Sequence, residues 1–226
     1  GWQIVPYLSM LPNGQFNLAL GANFDPFEER SGRWFQTLDM RTISSIQENT
    51  YILWDSDAEI LLLTYGSIEE PYTAKLYNDG VLSQVQENYP NTVQQAFQHM
   101  PFDYQTSGKL WAEILECATE TQWTEAFYDI LYRSFEDYNG MSLDTVEVIQ
   151  YAYERGISAN DIVDCTTEDR YIDKIELQMS QGQELFDITG TPASIFINTK
   201  TWEYTSVRGA YPYSEFEEAI EALLIK

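Results

Sequence analysis

Residues 59–77 read EILLLTYGSIEEPYTAKLY. The apolar run Ile60 to Leu63 is followed by Gly66-Ser67, punctuation that bounds a short buried strand. Pro71 comes next after Glu69-Glu70, and proline is favoured in the first helical turn, where its missing N–H leaves no bond unmade. The stretch predicts a buried strand, a short loop, and a helix starting at or near Pro71. A helix N-terminus favours an anion, and Glu70 stands there.

Working outward, the helix is expected to run to about Tyr89, kinked at Asp79-Gly80 and stopped by Pro90-Asn91. Thr92 to Met100 (TVQQAFQHM) reads as the next strand. From residue 104 to about 188 the apolar period lengthens to that of a helix, with faces at Leu110/Trp111/Ile114/Leu115, Phe127/Ile130/Leu131, Val146/Ile149/Tyr153 and Ile172/Ile175/Met179. Ser142 and Asp144 fit the start of a third helix. Ser158 to Asp161 fits the start of a fourth, capped by Ser158 or Asn160. Ile188 to Ile197 returns to alternation, and Trp202 to Val207 reads as its antiparallel partner. Ser214 to Leu224 reads as a last helix. Upstream, Pro12-Asn13-Gly14 followed by alternation over Gln15 to Leu20 predicts a hairpin. Arg30 to Arg33 reads as loop-like, and Trp34 to Ile46 is expected to hold another short strand.

Taken in this order, the segments resemble the disulfide-oxidising, DsbA-like branch of the thioredoxin superfamily. That branch commonly carries Cys-Pro-Tyr-Cys at the strand–helix junction; this chain carries Glu70-Pro71-Tyr72-Thr73. Tyr51 to Asp57 resembles the segment before the central strand. His99-Met100-Pro101-Phe102 resembles the family's His-x-Pro-hydrophobic turn, Gly182 sits where the inserted helices end, and Gly190-Thr191-Pro192 resembles the cis-proline loop. Gly209 to Phe216 resembles the approach to the last helix. The resemblance covers about residues 50–226. It implies an α/β, thioredoxin-like fold with a mixed central sheet, formed by a domain over 51–226. A helical module is inserted at about 104–188, and an N-terminal extension occupies 1–50. In the family the cis-proline loop faces the active site and binds substrate backbone, so Gly190, Thr191 and Pro192 are implied as a peptide-binding loop opposite residues 70–73.

Dithiol exchange needs a thiolate of depressed pKa at the helix start and a second thiol to resolve the mixed disulfide. Glu70 and Thr73 supply neither, so no catalytic residue is assigned and residues 70–73 are read as a degenerate active-site position. Glu70 imitates the charge of the family's thiolate without its reactivity, or is simply an acid that starts a helix. His99 is the sole histidine; with no nucleophile to pair with, it is read as structural. Cys117 and Cys165 fall in the inserted helices, at positions where DsbA-like proteins often hold a second, structural disulfide. The resemblance thus implies a bridge; two buried free thiols and a redox-active pair remain the alternatives. A bridge would indicate an oxidising compartment.

The chain has 226 residues and a net charge of −24, with 36 acids against 12 Lys and Arg. That balance opposes nucleic acid and anionic membrane as partners, since both need basic patches. The acids cluster at Asp25 to Glu29, Asp55 to Glu59 and Glu215 to Glu221, and are read as a solvated surface. Asp55-Ser56-Asp57 lacks the glycine and distal glutamate of a calcium loop, and one histidine with two separated cysteines cannot assemble a zinc site, so no metal or cofactor is expected. No apolar run approaches the ~20 residues that span a bilayer. A chain beginning at Gly1-Trp2 reads as processed or trimmed, and a preceding N-terminal anchor is the one membrane connection expected. The expected function is a redox-inactive, DsbA-like module of the cell envelope (periplasmic or secreted) that binds polypeptides or a protein partner as a chaperone or scaffold. The competing expectations are thiol–disulfide exchange through Cys117/Cys165 or another non-standard site, and one module of a larger anchored protein.

Overall fold

The computed structural model describes residues 7–10, 16–19, 28–30, 32–53 and 57–224, with side chains described from 32 onward except 121–123. The Pro12-Asn13-Gly14 turn and the acids Asp25 and Asp55 lie outside the described residues. Two short strands, β1 (Tyr7–Met10) and β2 (Phe16–Ala19), pair antiparallel as a separate ribbon, with Tyr7 opposite Ala19.

The main sheet is organised on β6 (Ile60–Gly66), every residue of which is buried. It pairs in parallel with β7 (Val93–His99), and antiparallel with β8 (Ala193–Asn198), which pairs in turn with β9 (Glu203–Arg208). Two-sided burial is what a near-continuous apolar strand at the centre of a sheet requires. Further strands are β3 (Glu28–Arg30), β4 (Arg33–Thr37) and β5 (Ile52–Leu53), and the full order is β3-β4-β9-β8-β6-β7-β5. Residues 28–30 and 33–37 therefore extend the main sheet through β4 and β9, and Arg30 and Arg33, expected in a loop, are paired strand residues.

Helices cover both faces. On one, Ile60, Leu62 and Phe196 pack with α2 (Pro71–Asn78), α3 (Val81–Asn88), α4 (Gly108–Tyr138) and α8 (Tyr213–Leu224). On the other, Leu61, Leu63, Tyr65, Ile195 and Ile197 pack with Ile46 of α1 (Met40–Glu48) and Phe186 of α7 (Ile172–Phe186). The remaining helices, α5 (Thr145–Glu154) and α6 (Ala159–Thr167), pack against α4 and each other. This is a three-layer α/β arrangement.

The short strand expected within 34–46 is present as β4, which ends at Thr37, and α1 follows. Its start is set by Asp39, whose carboxylate accepts the Thr42 amide at 2.8 Å. That bond holds the Asp39 pKa below its ordinary value. The helix expected from Pro71 to Tyr89 is two helices, because Gly80 takes the left-handed conformation at φ +72°. The two helices expected before Ser142 are one helix of 31 residues. The α5 face expected to be buried is turned outward: Val146 and Tyr153 are exposed, and Val148, Tyr151 and Ala152 face the core. Ser158 caps α6 through the Asp161 amide.

Candidate functional site

Helix α2 starts where β6 ends. Gly66, the last residue of β6, has no side chain because Thr73 occupies the space: a Cβ there would lie 2.5 Å from Thr73 Cγ2. Glu70 is the N-cap. Its Oε1 accepts the Tyr72 amide at 3.0 Å, and its Oε2 accepts the Thr73 amide at 2.6 Å and the Thr73 hydroxyl at 2.8 Å. A carboxylate can neutralise orphan amides of a first helical turn in this way. Glu70 is only 7% exposed, whereas Tyr72 is 64% exposed. The tyrosine faces solvent while the acid is folded back onto its own helix.

Glu69, not singled out from sequence, is bonded outward. Its carboxylate accepts the Thr106 amide at 2.9 Å and the Ser107 amide at 2.6 Å, just before α4, and the Ser142 hydroxyl, just before α5. Its carbonyl accepts Gln105 Nε2 at 2.7 Å. Gly140, between α4 and α5, lies directly on the Glu70–Pro71 peptide. A Cβ there would sit 2.5 Å from the Glu70 carbonyl carbon and Pro71 Cα, and its φ is +76°. The helical module is thus seated on the start of α2. The Glu69-Glu70 doublet was the available sequence signal, but nothing local announces bonds to residues 36–73 positions away.

The loop at Gly190, Thr191 and Pro192 leads into β8. The register of Tyr65 with Ala193 puts it at the same end of the sheet as the β6–α2 loop. The Thr191–Pro192 bond is cis. The Pro192 carbonyl accepts the Gly209 amide at 2.8 Å, closing the loop against the end of β9. A cavity of about 230 Å³ is lined by Thr189, Gly190, Thr191, Pro192, Arg208 and Gly209, among others. Thr191 Oγ1 is buried without a hydrogen-bond partner among the described residues. The Arg208 guanidinium, beside this cavity, donates to the Asp187 and Phe186 carbonyls at the C-terminus of α7, a favourable place for a cation.

His99 ends β7 and is buried. Its Nε2 lies 3.1 Å from Glu116 Oε1, and its ring packs against Phe97 and Phe127. The other Glu116 oxygen accepts Lys174 Nζ at 2.7 Å, and that ammonium stands 3.6 Å over the Tyr51 ring. Burial alone would raise the Glu116 pKa; the hydrogen bond from His99 and the charges of His99 and Lys174 outweigh it and hold the carboxyl below its ordinary value. Glu116 and Lys174 were not identified from sequence.

Next to Glu116, Cys117 is bonded to Cys165 of α6 in a disulfide across 48 residues; both are buried, at 3% and 1% exposure. Neither cysteine lies on α2. Among the described residues no group of three or more His, Cys, Asp or Glu could hold a metal ion, and no helix is long and apolar enough to cross a membrane.

No protein-family model matches the sequence, and no curated protein matches it. Solved structures do. The chain is similar to Pseudomonas aeruginosa DsbA2, at 20% identity over 77% of this chain and 96% of that one, with TM-score 0.63. It is similar to oxidised BdbD from Bacillus subtilis, at 18% identity over 79% and 95%, with TM-score 0.66. It is also similar to a periplasmic thioredoxin-like protein from Salmonella enterica serovar Typhimurium, at 15% identity over 84% and 99%, with TM-score 0.63. At such identities the likeness is one of fold: this chain has the DsbA-like thioredoxin fold, with α4 to α7 inserted between β7 and β8.

Proposed function

We propose that this chain is a redox-inactive, DsbA-like module that binds polypeptide at the Thr191–Pro192 loop, as a chaperone or scaffold outside the cytoplasm. The observation that carries the reading is the chemistry at the start of α2. There the Glu70 carboxylate and Thr73 hydroxyl are bonded to each other and to the helix amides, with no thiol at either position. Disulfide exchange requires a nucleophilic sulfur and a resolving sulfur in one accessible place. Both cysteines of this chain are instead joined inside the helical module. The Gly190–Pro192 loop lines an open cavity at the same end of the sheet as the start of α2, a place that suits contact with an extended backbone. The buried disulfide supports an oxidising compartment, as does the likeness to a periplasmic thioredoxin-like protein.

Two measurements test this. Oxidised protein mixed with a reduced, unfolded disulfide protein transfers no disulfide, and mass spectrometry finds Cys117 and Cys165 still bridged. Oxidation of the substrate with loss of that bridge would overturn redox inactivity and move the active site into the helical module. In parallel, an unfolded polypeptide binds the protein, and Pro192→Ala weakens it by about tenfold. Equal binding by both proteins would remove the loop from the proposal.

A further inference from the structure

Helix α5 is apolar on two sides. Val148, Tyr151 and Ala152 face α4 and the core, as a helix packed on a neighbour requires. On the opposite side Val146 is 74% exposed and Tyr153 is 56% exposed; Ile149 between them is half-buried and rests against the core. Positions 146, 149 and 153 are spaced three and four apart, so they form one stripe along the helix. Met141, in the loop before α5, is exposed too. That loop holds Gly140 on the Glu70–Pro71 peptide, so the segment leading into α5 is seated on the start of α2.

Charge identifies what the stripe would take. Residues 141–154 contain Asp144, Glu147 and Glu154 and no basic residue. Glu147 and Glu154, seven positions apart, line one flank of the stripe, and both are exposed. Their internal partners are neutral: the Asp144 amide for Glu147 and Gln150 Nε2 for Glu154. The nearest base in sequence, Arg155, is engaged with Asp137 and lies over the Tyr151 ring at 3.3 Å. An apolar stripe edged by acids is complementary to an apolar stripe edged by bases. A second copy of this chain is a poor match, since each copy carries a net charge of −24.

We infer that the outer face of α5, centred on the exposed Val146 and Tyr153, docks a basic amphipathic polypeptide segment whose lysines or arginines lie along Glu147 and Glu154. This deepens the reading of the chain as a polypeptide-binding module and names the chemistry of what it binds.

The test uses the whole chain and a fluorescent synthetic amphipathic peptide with lysines beside its apolar stripe. The control peptide carries glutamates in place of the lysines. The lysine peptide binds with an affinity that falls as salt rises, and the glutamate peptide does not bind. Val146→Ser/Tyr153→Ser weakens the lysine peptide by about tenfold or more, and Glu147→Gln/Glu154→Gln removes most of the salt dependence. Both pairs are exposed, and matching circular dichroism and melting curves confirm that the variants fold. Undiminished binding by the serine variant overturns the inference; if Pro192→Ala then abolishes binding, polypeptide binding at the proline loop stands while the α5 site falls. No binding of any polypeptide overturns both. Sedimentation showing a dimer that the serine variant dissolves would assign the face to a second copy and overturn the inference as well.

Discussion

The start of α2 and the interior where α4, α6 and α7 meet hold the chain's reactive kinds of group, and they use them in opposite ways. At α2, where a thioredoxin fold exposes a helix N-terminus, the groups are two glutamates and a threonine, consumed by backbone amides and hydroxyls. In the interior are both cysteines and a His99–Glu116–Lys174 network of which only Lys174 is partly exposed. The start of α2 carries no thiol, and the cysteines are buried. The lesson is that a fold's geometry does not by itself fix its chemistry; function has to be argued from the atoms present at the site.

The sharpest way to break this contrast is to remove the sulfur. Cys117→Ser/Cys165→Ser frees the denatured chain from a 48-residue loop, and a loss of about 4 kcal/mol is expected on the chain-entropy argument. Urea unfolding measures it, and a loss near zero would deny the bridge a stabilising role.

Glu116→Gln comes next. It leaves Lys174 and His99 facing a neutral amide in a buried place, at a cost of about 3 kcal/mol. The parent's dependence on pH has a definite sign. The Glu116 carboxyl is held below its ordinary value of 4.5 in the folded state, so its contribution is complete above that value and disappears as the pH falls through the lower, folded value. The gap between parent and variant in urea midpoints therefore closes on acidification. A gap that widened instead would mean the carboxyl is protonated in the native protein.

Gly140→Ala tests the contact between the two regions. It places a Cβ into the Glu70–Pro71 backbone at a positive φ, and a loss of about 2 kcal/mol is expected. Thermal unfolding that is unchanged from the parent would show the loop free to lift away.

Smallest is Glu70→Ala, which removes one helix cap for about 1 kcal/mol. If the acid did catalytic rather than capping work, the stability change would be absent and an activity would disappear.

Much of the fold was legible because its central signals are local. The apolar run into Gly66, the Pro71 helix start and the Ser158 cap each involve residues a few positions apart, and their order along the chain carried the rest. What escaped involves either ambiguity or distance. Helix α1 has only Ile43 and Ile46 buried, too few to display a period, though Asp39 followed three residues later by Thr42 was a readable cap. Helix α5 has apolar residues on both sides, so periodicity found a stripe but chose the outward one. The long α4 was divided although neither glycine nor proline interrupts it after Gly108. At the candidate site, the Glu-Pro-Tyr-Thr substitution was plain in the sequence. The bonds of Glu69 to residues 106, 107 and 142 and the Glu116–Lys174 pair were not, since partners so distant meet only once the chain has folded.

Glu69 carries a last consequence. One carboxylate fastens the loop before α2, the approach to α4 and the approach to α5 at a single point. A hinge between the inserted helices and the sheet would have to open there and strand a charge. Motion of the module as a lid is therefore disfavoured, and surfaces on the two halves keep a fixed spacing before any partner arrives. Under the proposed function, recognition would rest on preorganised shape rather than on closure, and the ligand would bear most of the ordering entropy of binding.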